Sequence, residues 1–156
     1  MKEIPLTQGK VAIVDDDDYL WLSQYKWCMT SYGYCHARIK GHNEFMHRVI
    51  LGAKKGEEVD HINRDCLDNR KENIRICNKS QNGANQKISL RNKTGFKGVS
   101  WDKQYQKFTA YIGFHGRHYF LGYFDNPLEA SRAYDKAALE YFGEFARTNS
   151  MEIPYA

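Results

Sequence analysis

Residues 59–85 read VDHINRDCLDNRKENIRICNKSQNGAN, and this stretch decides the fold. A short apolar run ends in Asp60-His61, a long polar loop follows, and the apolar IRIC at 74–77 gives way to a polar segment with Asn78 and Gln81 at capping-box spacing. The pattern predicts two strands joined by a loop, then a helix. At a strand end, neighbouring side chains point to opposite faces, so Asp60 can face a metal while the His61 imidazole takes a proton from water. Phosphodiester hydrolysis needs that combination: an activated water, a cation against the phosphate charge, and groups that hold both in line. Asn73, just before the return strand, and Asn82 and Asn85 on the helix supply polar groups around the pair. Arg70 and Arg75 are candidates to steady the phosphate.

Upstream, residues 1–50 alternate short apolar runs with turns, which suggests small strands around a short helix. The four acids at 15–18 read as a helix start, because a carboxylate there satisfies orphan backbone N–H groups and favours the positive end of the helix. The aromatics Trp21, Trp27, Tyr32 and Tyr34 read as packing residues. In FMHRVIL, residues 45–51, His47 and Arg48 are either phosphate contacts or packing groups at an element end. Cys28, Cys35, Cys66 and Cys77 form no CxxC pair and read as free thiols. An alternative makes the first ninety residues a zinc module built on Cys28, Cys35, His36, His42 and His47.

Downstream, residues 91–95 read as a linker ending in Gly95. Three β-prone runs follow, FKGVSWD, KFTAYIGF and RHYFLGYF, and predict a meander. A helix then starts with Asn126 as cap, Pro127 in the first turn and Glu129 at the third position, and stops at Gly143. In the middle strand Phe108, Ala110 and Ile112 alternate with Lys107, Thr109 and Tyr111, so the face not covered by the helix is expected to be basic and polar. Net charge is only +4, but residues 87–117 hold seven basic groups against one acid, with aromatics between them. That interleaving suits nucleic acid, where cations contact phosphate and rings pack on bases or sugars.

The 59–85 stretch resembles the HNH motif of phage and intron homing endonucleases, over about thirty residues. The resemblance implies a ββα-metal (His-Me finger) fold with His61 as general base, Asn73 as loop brace, and Asp60 with Asn82 as metal ligands. Many members carry His where this chain has Asn82, which groups it with the Asn-bearing branch and leaves Asn85 as the alternative ligand. An amide oxygen is a hard donor, which points to Mg²⁺ or Mn²⁺. Residues 95–149 resemble the APETALA/ethylene-response DNA-binding domain of plant transcription factors, also found attached to phage HNH enzymes. The matching residues are Gly98-Val99, Ala110, Ile112, Leu121-Gly122, Phe124, the EASRAYDKAALEYFGEFARTN helix and tail, and Asn149. That family reads DNA with its sheet. Here Ser100, Asp102, Tyr111 and Gly113 stand where Arg, Arg, Glu and Arg are usual, so the resemblance speaks for the fold more than for a base preference. Lys97, Trp101, Lys103, Lys107, Arg117 and His118 are the candidate DNA contacts.

The expectation is an α+β chain. Residues 1–90 form an HNH domain with its ββα-metal core at about 57–89, residues 96–149 form a three-stranded antiparallel sheet on one helix, and residues 150–156 are a tail. Its expected function is a metal-dependent homing endonuclease that nicks or cuts a long double-stranded DNA site, as a monomer in the cytoplasm, of the host if phage-encoded. Neither a membrane span nor a signal peptide is expected, since no long apolar run occurs. The rival reading is a DNA-binding regulator with an inactive HNH fold.

Overall fold

The chain begins with a hairpin whose alternation sets the first core. Ile4 of β1 (Lys2–Pro5) and Ala12 and Val14 of β2 (Val11–Val14) point inward, and Gly9 takes the positive φ that the turn between them requires. Leu22 of α1 (Asp16–Leu22), Trp27, and Cys35 and Ala37 of β4 (Cys35–Ile39) close over them. The Trp27 indole donates to the Leu22 carbonyl at 2.8 Å, so the one polar atom of a buried ring is satisfied. β4 is the middle of an antiparallel sheet between β3 (Cys28–Met29) and β5 (His42–Phe45). β5 runs directly into α2 (Met46–Leu51), which ends at Gly52 in the left-handed conformation. A second hairpin pairs β6 (Glu58–His61) with β7 (Ile74–Cys77), Asp60 opposite Arg75 and His61 opposite Ile74. The helix α3 (Lys79–Asn85) follows at once.

The computed structural model describes residues 1–152, so the last four residues of the expected tail lie outside them. The chain divides into two compact units, Met1–Lys79 and Ser80–Ala156. α3 therefore falls almost wholly in the second unit, although the sequence reading ran the first segment to residue 90. Ala84 packs with Ile112, Tyr134 and Ala138, and the Lys97 ammonium donates to the carbonyls of Ala84 and Gln86 at the end of the helix.

In the second unit β8 (Val99–Asp102), β9 (Lys107–Phe114) and β10 (Arg117–Phe124) form an antiparallel meander with β9 central. α4 (Pro127–Phe142) covers one face, its first turn capped by the Asn126 side chain accepting from the Glu129 N–H at 2.8 Å. Ala130, Tyr134, Ala137 and Ala138 of α4 pack on Val99, Ala110 and Ile112. After a 3₁₀ turn, Gly143–Phe145, the short α5 (Asn149–Glu152) is latched back: the buried Asp135 carboxylate accepts from the N–H groups of Asn149 and Ser150, and the Asn149 side chain bonds both backbone groups of Lys97.

Two expectations change. Asp15 precedes α1 but makes no side-chain cap; its carboxylate accepts instead from the Lys71 N–H at 2.8 Å, a tertiary partner that outbids the local one. The uncovered sheet face is aromatic rather than basic. A bulge between Phe120 and Gly122 shifts the alternation of β10, so Phe120 and Tyr123 share a face with Tyr111. Tyr105, Tyr123, Phe120 and Tyr111 form a chain of ring contacts 4.8–5.1 Å apart.

Candidate active site

Asp60 and His61 end β6 with both side chains buried, and Asn73 fixes the loop that follows. The Asn73 amide reaches across it, its oxygen accepting from the Asn63 N–H at 3.0 Å and its NH₂ donating to the Asp68 carbonyl at 2.7 Å. Within the loop, Asn63 and Asp65 side chains accept from backbone N–H groups two residues on, the local turn chemistry of Asx residues. β2 holds the loop from outside: Ile13 donates to Leu67 O and accepts from Asn69 N, both at 2.8 Å. Polar residues that would disorder an ordinary loop are here its framework, because each finds a partner at fixed distance.

The His61 ring lies in a cluster of rings. His47 sits edge-on to it with centroids 5.0 Å apart, Tyr34 lies 5.9 Å from it, and Phe45 stacks on His47. Its Nε2 is 3.4 Å from the Asn69 side-chain oxygen. Burial pushes the His61 imidazole below the ordinary histidine value, and the Asn69 hydrogen bond and the carboxylates of Asp60, Asp65 and Asp68 draw it only part of the way back. Burial, His61 and Arg48 push His47 further, down to about 3. Both rings are therefore neutral at pH 7, and a neutral imidazole retains a lone pair able to accept a proton. A neutral His47 cannot act as a phosphate-binding cation.

The arginines have partners inside the fold. Arg75 engages Asp60 through Oδ2 at 2.9 Å, the cross-strand pairing bringing them together. Arg70 forks onto both oxygens of Asp68 at 2.8 Å and also meets Glu72, holding the Asp68 carboxyl below the usual range. Arg48 ties down the turn after α2, donating to Glu57 O and Lys54 O at 2.6 and 2.9 Å. A charge's partner depends on tertiary neighbours, which residue type alone does not reveal. Asn69, the buried amide that meets His61, was absent from the sequence reading; its polarity inside an otherwise turn-forming loop was the available signal.

Asn82 is half-buried on α3 and Asn85 is buried, both in the second unit. Asp60 offers a carboxylate oxygen, a hard donor whose chemistry fits a small divalent cation. Among the described residues no three of His, Cys, Asp and Glu group closely enough to hold a metal, and all four cysteines are free. Cys28 and His36 do meet, Sγ to Nε2 at 3.1 Å, as a cross-strand pair. Of the candidate DNA contacts, Trp101, Lys103, Arg117 and His118 are exposed. Lys97 is spent on carbonyls, and Lys107 pairs with Asp125 at 3.0 Å. No helix among the described residues is long and apolar enough to cross a membrane.

Comparison with known proteins agrees with this chemistry. The HNH endonuclease family matches residues 44–84. A protein of Acanthamoeba polyphaga mimivirus named as an uncharacterised HNH endonuclease is 28% identical over 151 residues, covering 94% of this chain and 78% of the relative. Protein 3.8 of Escherichia phage T7 is 29% identical over 93 residues, covering 60% of this chain and 76% of that protein. No solved structure matches. The chain carries an HNH endonuclease domain and is a DNA endonuclease; nucleases of this family typically use divalent metals.

Proposed function

We propose that the chain is a homing-type endonuclease that cleaves a long double-stranded DNA site as a monomer, with His61 as general base and the second unit as an APETALA/ethylene-response-like DNA-binding module. One observation carries the reading: a neutral, buried imidazole directly beside a buried carboxylate, at the mouth of a loop cross-braced by Asn73. His61 takes the proton from the attacking water, its neutral state at pH 7 leaving it competent to do so. Asn73 keeps the loop, and so the ring, in place. Asp60 and the more accessible amide, Asn82, would hold the metal, and Arg75 keeps the Asp60 carboxylate oriented. A bound Mg²⁺ or Mn²⁺ supplies charge neutralisation at the phosphate and the departing oxygen.

DNA contact falls to Trp101, Lys103, Arg117 and His118, which remain exposed, rather than to Lys97, Arg70 or Arg75 with partners inside the fold. Two modest binding modules on one chain raise each other's effective concentration at adjacent sites, which suits a small protein with a long target. The test is His61→Ala. Supercoiled plasmid should be nicked or linearised by the wild type and left intact by the variant, while a mobility shift shows both binding DNA alike. Wild-type cleavage by His61→Ala removes the assigned base.

A further inference from the structure

The uncovered face of the C-terminal sheet has its polar groups engaged and its rings exposed. Ser100 and Thr109 bond each other through their hydroxyls at 2.8 Å, the Asp102 carboxylate accepts from the N–H groups of Gln104 and Tyr105, and Lys107 pairs with Asp125. Gly113 offers no side chain, and the His118 ring lies against it. The outward surface is aromatic: Tyr105, Tyr111, Phe120 and Tyr123 are each 41–56% exposed. Their rings touch one after another, yet the planes of neighbours meet at 49–64°, so no ring lies flat on the next and covers it.

A surface of this kind suits one form of DNA. In a duplex each base hides its flat face against its neighbours and shows only edges in the grooves, where donors and acceptors on projecting side chains are needed to read it. An unpaired base shows the flat face, and every base can stack it on a tyrosine or phenylalanine. The run of rings also has a direction. It starts at Tyr105, in the turn between β8 and β9, passes Tyr123 and reaches the middle of the sheet at Phe120 and Tyr111, which lie opposite each other. Exposed cations stand at both ends of the meander, Lys103 two residues before Tyr105 and Arg117 at the start of β10. A strand laid along the rings therefore meets positive charge at each end, as its phosphates require.

We propose that this face binds single-stranded DNA, with unpaired bases stacked on Tyr105, Tyr123, Phe120 and Tyr111 and phosphates held by Lys103 and Arg117. The proposal rests on the reading that the second unit meets DNA, and it adds the form of DNA that the sheet recognises.

The test is fluorescence anisotropy with the full chain in EDTA, using a labelled strand of about 20 nucleotides of mixed sequence and the blunt duplex made from it. The wild type should bind the single strand, and the double variant Phe120→Ala, Tyr123→Ala should lower affinity for the single strand relative to the duplex by about tenfold or more. Phe120→Tyr with Tyr123→Phe, which keeps both rings, should hold the wild-type ratio. Independently of any variant, a strand carrying 5-iodouracil should crosslink under near-ultraviolet light to the four rings, read by mass spectrometry of the peptides. An equal loss on both forms of DNA with no crosslink to the rings, or tighter binding of the RNA strand of the same sequence, overturns the proposal. If the wild type binds duplex but no single strand, this proposal alone fails. If it binds neither, the reading of the second unit as a DNA-binding module fails first and carries this one with it.

Discussion

At His47 the fold encloses an imidazole that water would otherwise protonate near neutrality. Its pKa lies at about 3, and its Nδ1 is buried with no hydrogen-bond partner among the described residues. The unfolded chain binds a proton there below about pH 6.5, the ordinary histidine value, and the folded chain refuses it. His47 therefore costs nothing above that pH, and stability falls as pH drops from about 6.5 toward about 3, by at most about 1.4 kcal/mol per pH unit for this one group. Urea unfolding at a series of pH values should show a shallower decline in His47→Leu than in the wild type; superimposed slopes contradict the assignment. His61, depressed for the same reason, adds its own slope to both proteins and does not obscure the difference. The chemistry at this scale was only partly legible. Asp60, His61 and Asn73 stood out because adjacency and loop position are sequence properties. His47, Tyr34 and Asn69 reach the same ring from an earlier helix, an earlier turn and the far side of the loop, and the carboxylate partners of Arg70 and Arg75, Asp68 and Asp60, follow from the fold and not from residue type.

Among the elements, Gly98 has the least room to change. It enters β8 at a φ of +74°, and a Cβ there would lie 2.1 Å from the Tyr134 ring and 2.7 Å from the Tyr111 carbonyl. The ring can be displaced only by opening the contact of α4 with the sheet, and the carbonyl belongs to the central strand. Gly98→Ala should destabilise the second unit by at least about 2 kcal/mol through strain and overlap together, read as a lower midpoint in chemical denaturation. Gly113→Ala, whose nearest neighbours lie at 3.7 Å or beyond, should change it far less and serves as the control. Elements with local signals were easily read: Asn126, Pro127 and Gly143 marked both ends of α4 because capping is short-range chemistry. The aromatic sheet face was misread because the bulge in β10 is not visible in residue alternation, and one extra residue moves Tyr123 to the other side.

Over the whole molecule, the proposed base and the proposed DNA contacts fall in different units. His61 and Asp60 belong to the first, and Trp101, Lys103, Arg117 and His118 to the second. Charge contacts to phosphate release counterions, so removing Lys103 and Arg117 together should weaken DNA binding at every sequence and lower the salt dependence of log K by roughly one per residue. Titrations at several salt concentrations measure this, and an unchanged slope would move the phosphate contacts elsewhere. The boundary between the units was the part of the organisation least open to sequence: α3 follows the HNH hairpin directly in the chain, yet Ala84 is buried with the residues of the C-terminal sheet and helix. Metal-dependent cleavage is measured by incubating purified protein with supercoiled plasmid in EDTA and then adding Mg²⁺ or Mn²⁺. Supercoils should stay intact with the chelator and become nicked or linear once the cation is present; cleavage that proceeds equally in EDTA, or none with either cation, would contradict a metal-dependent nuclease.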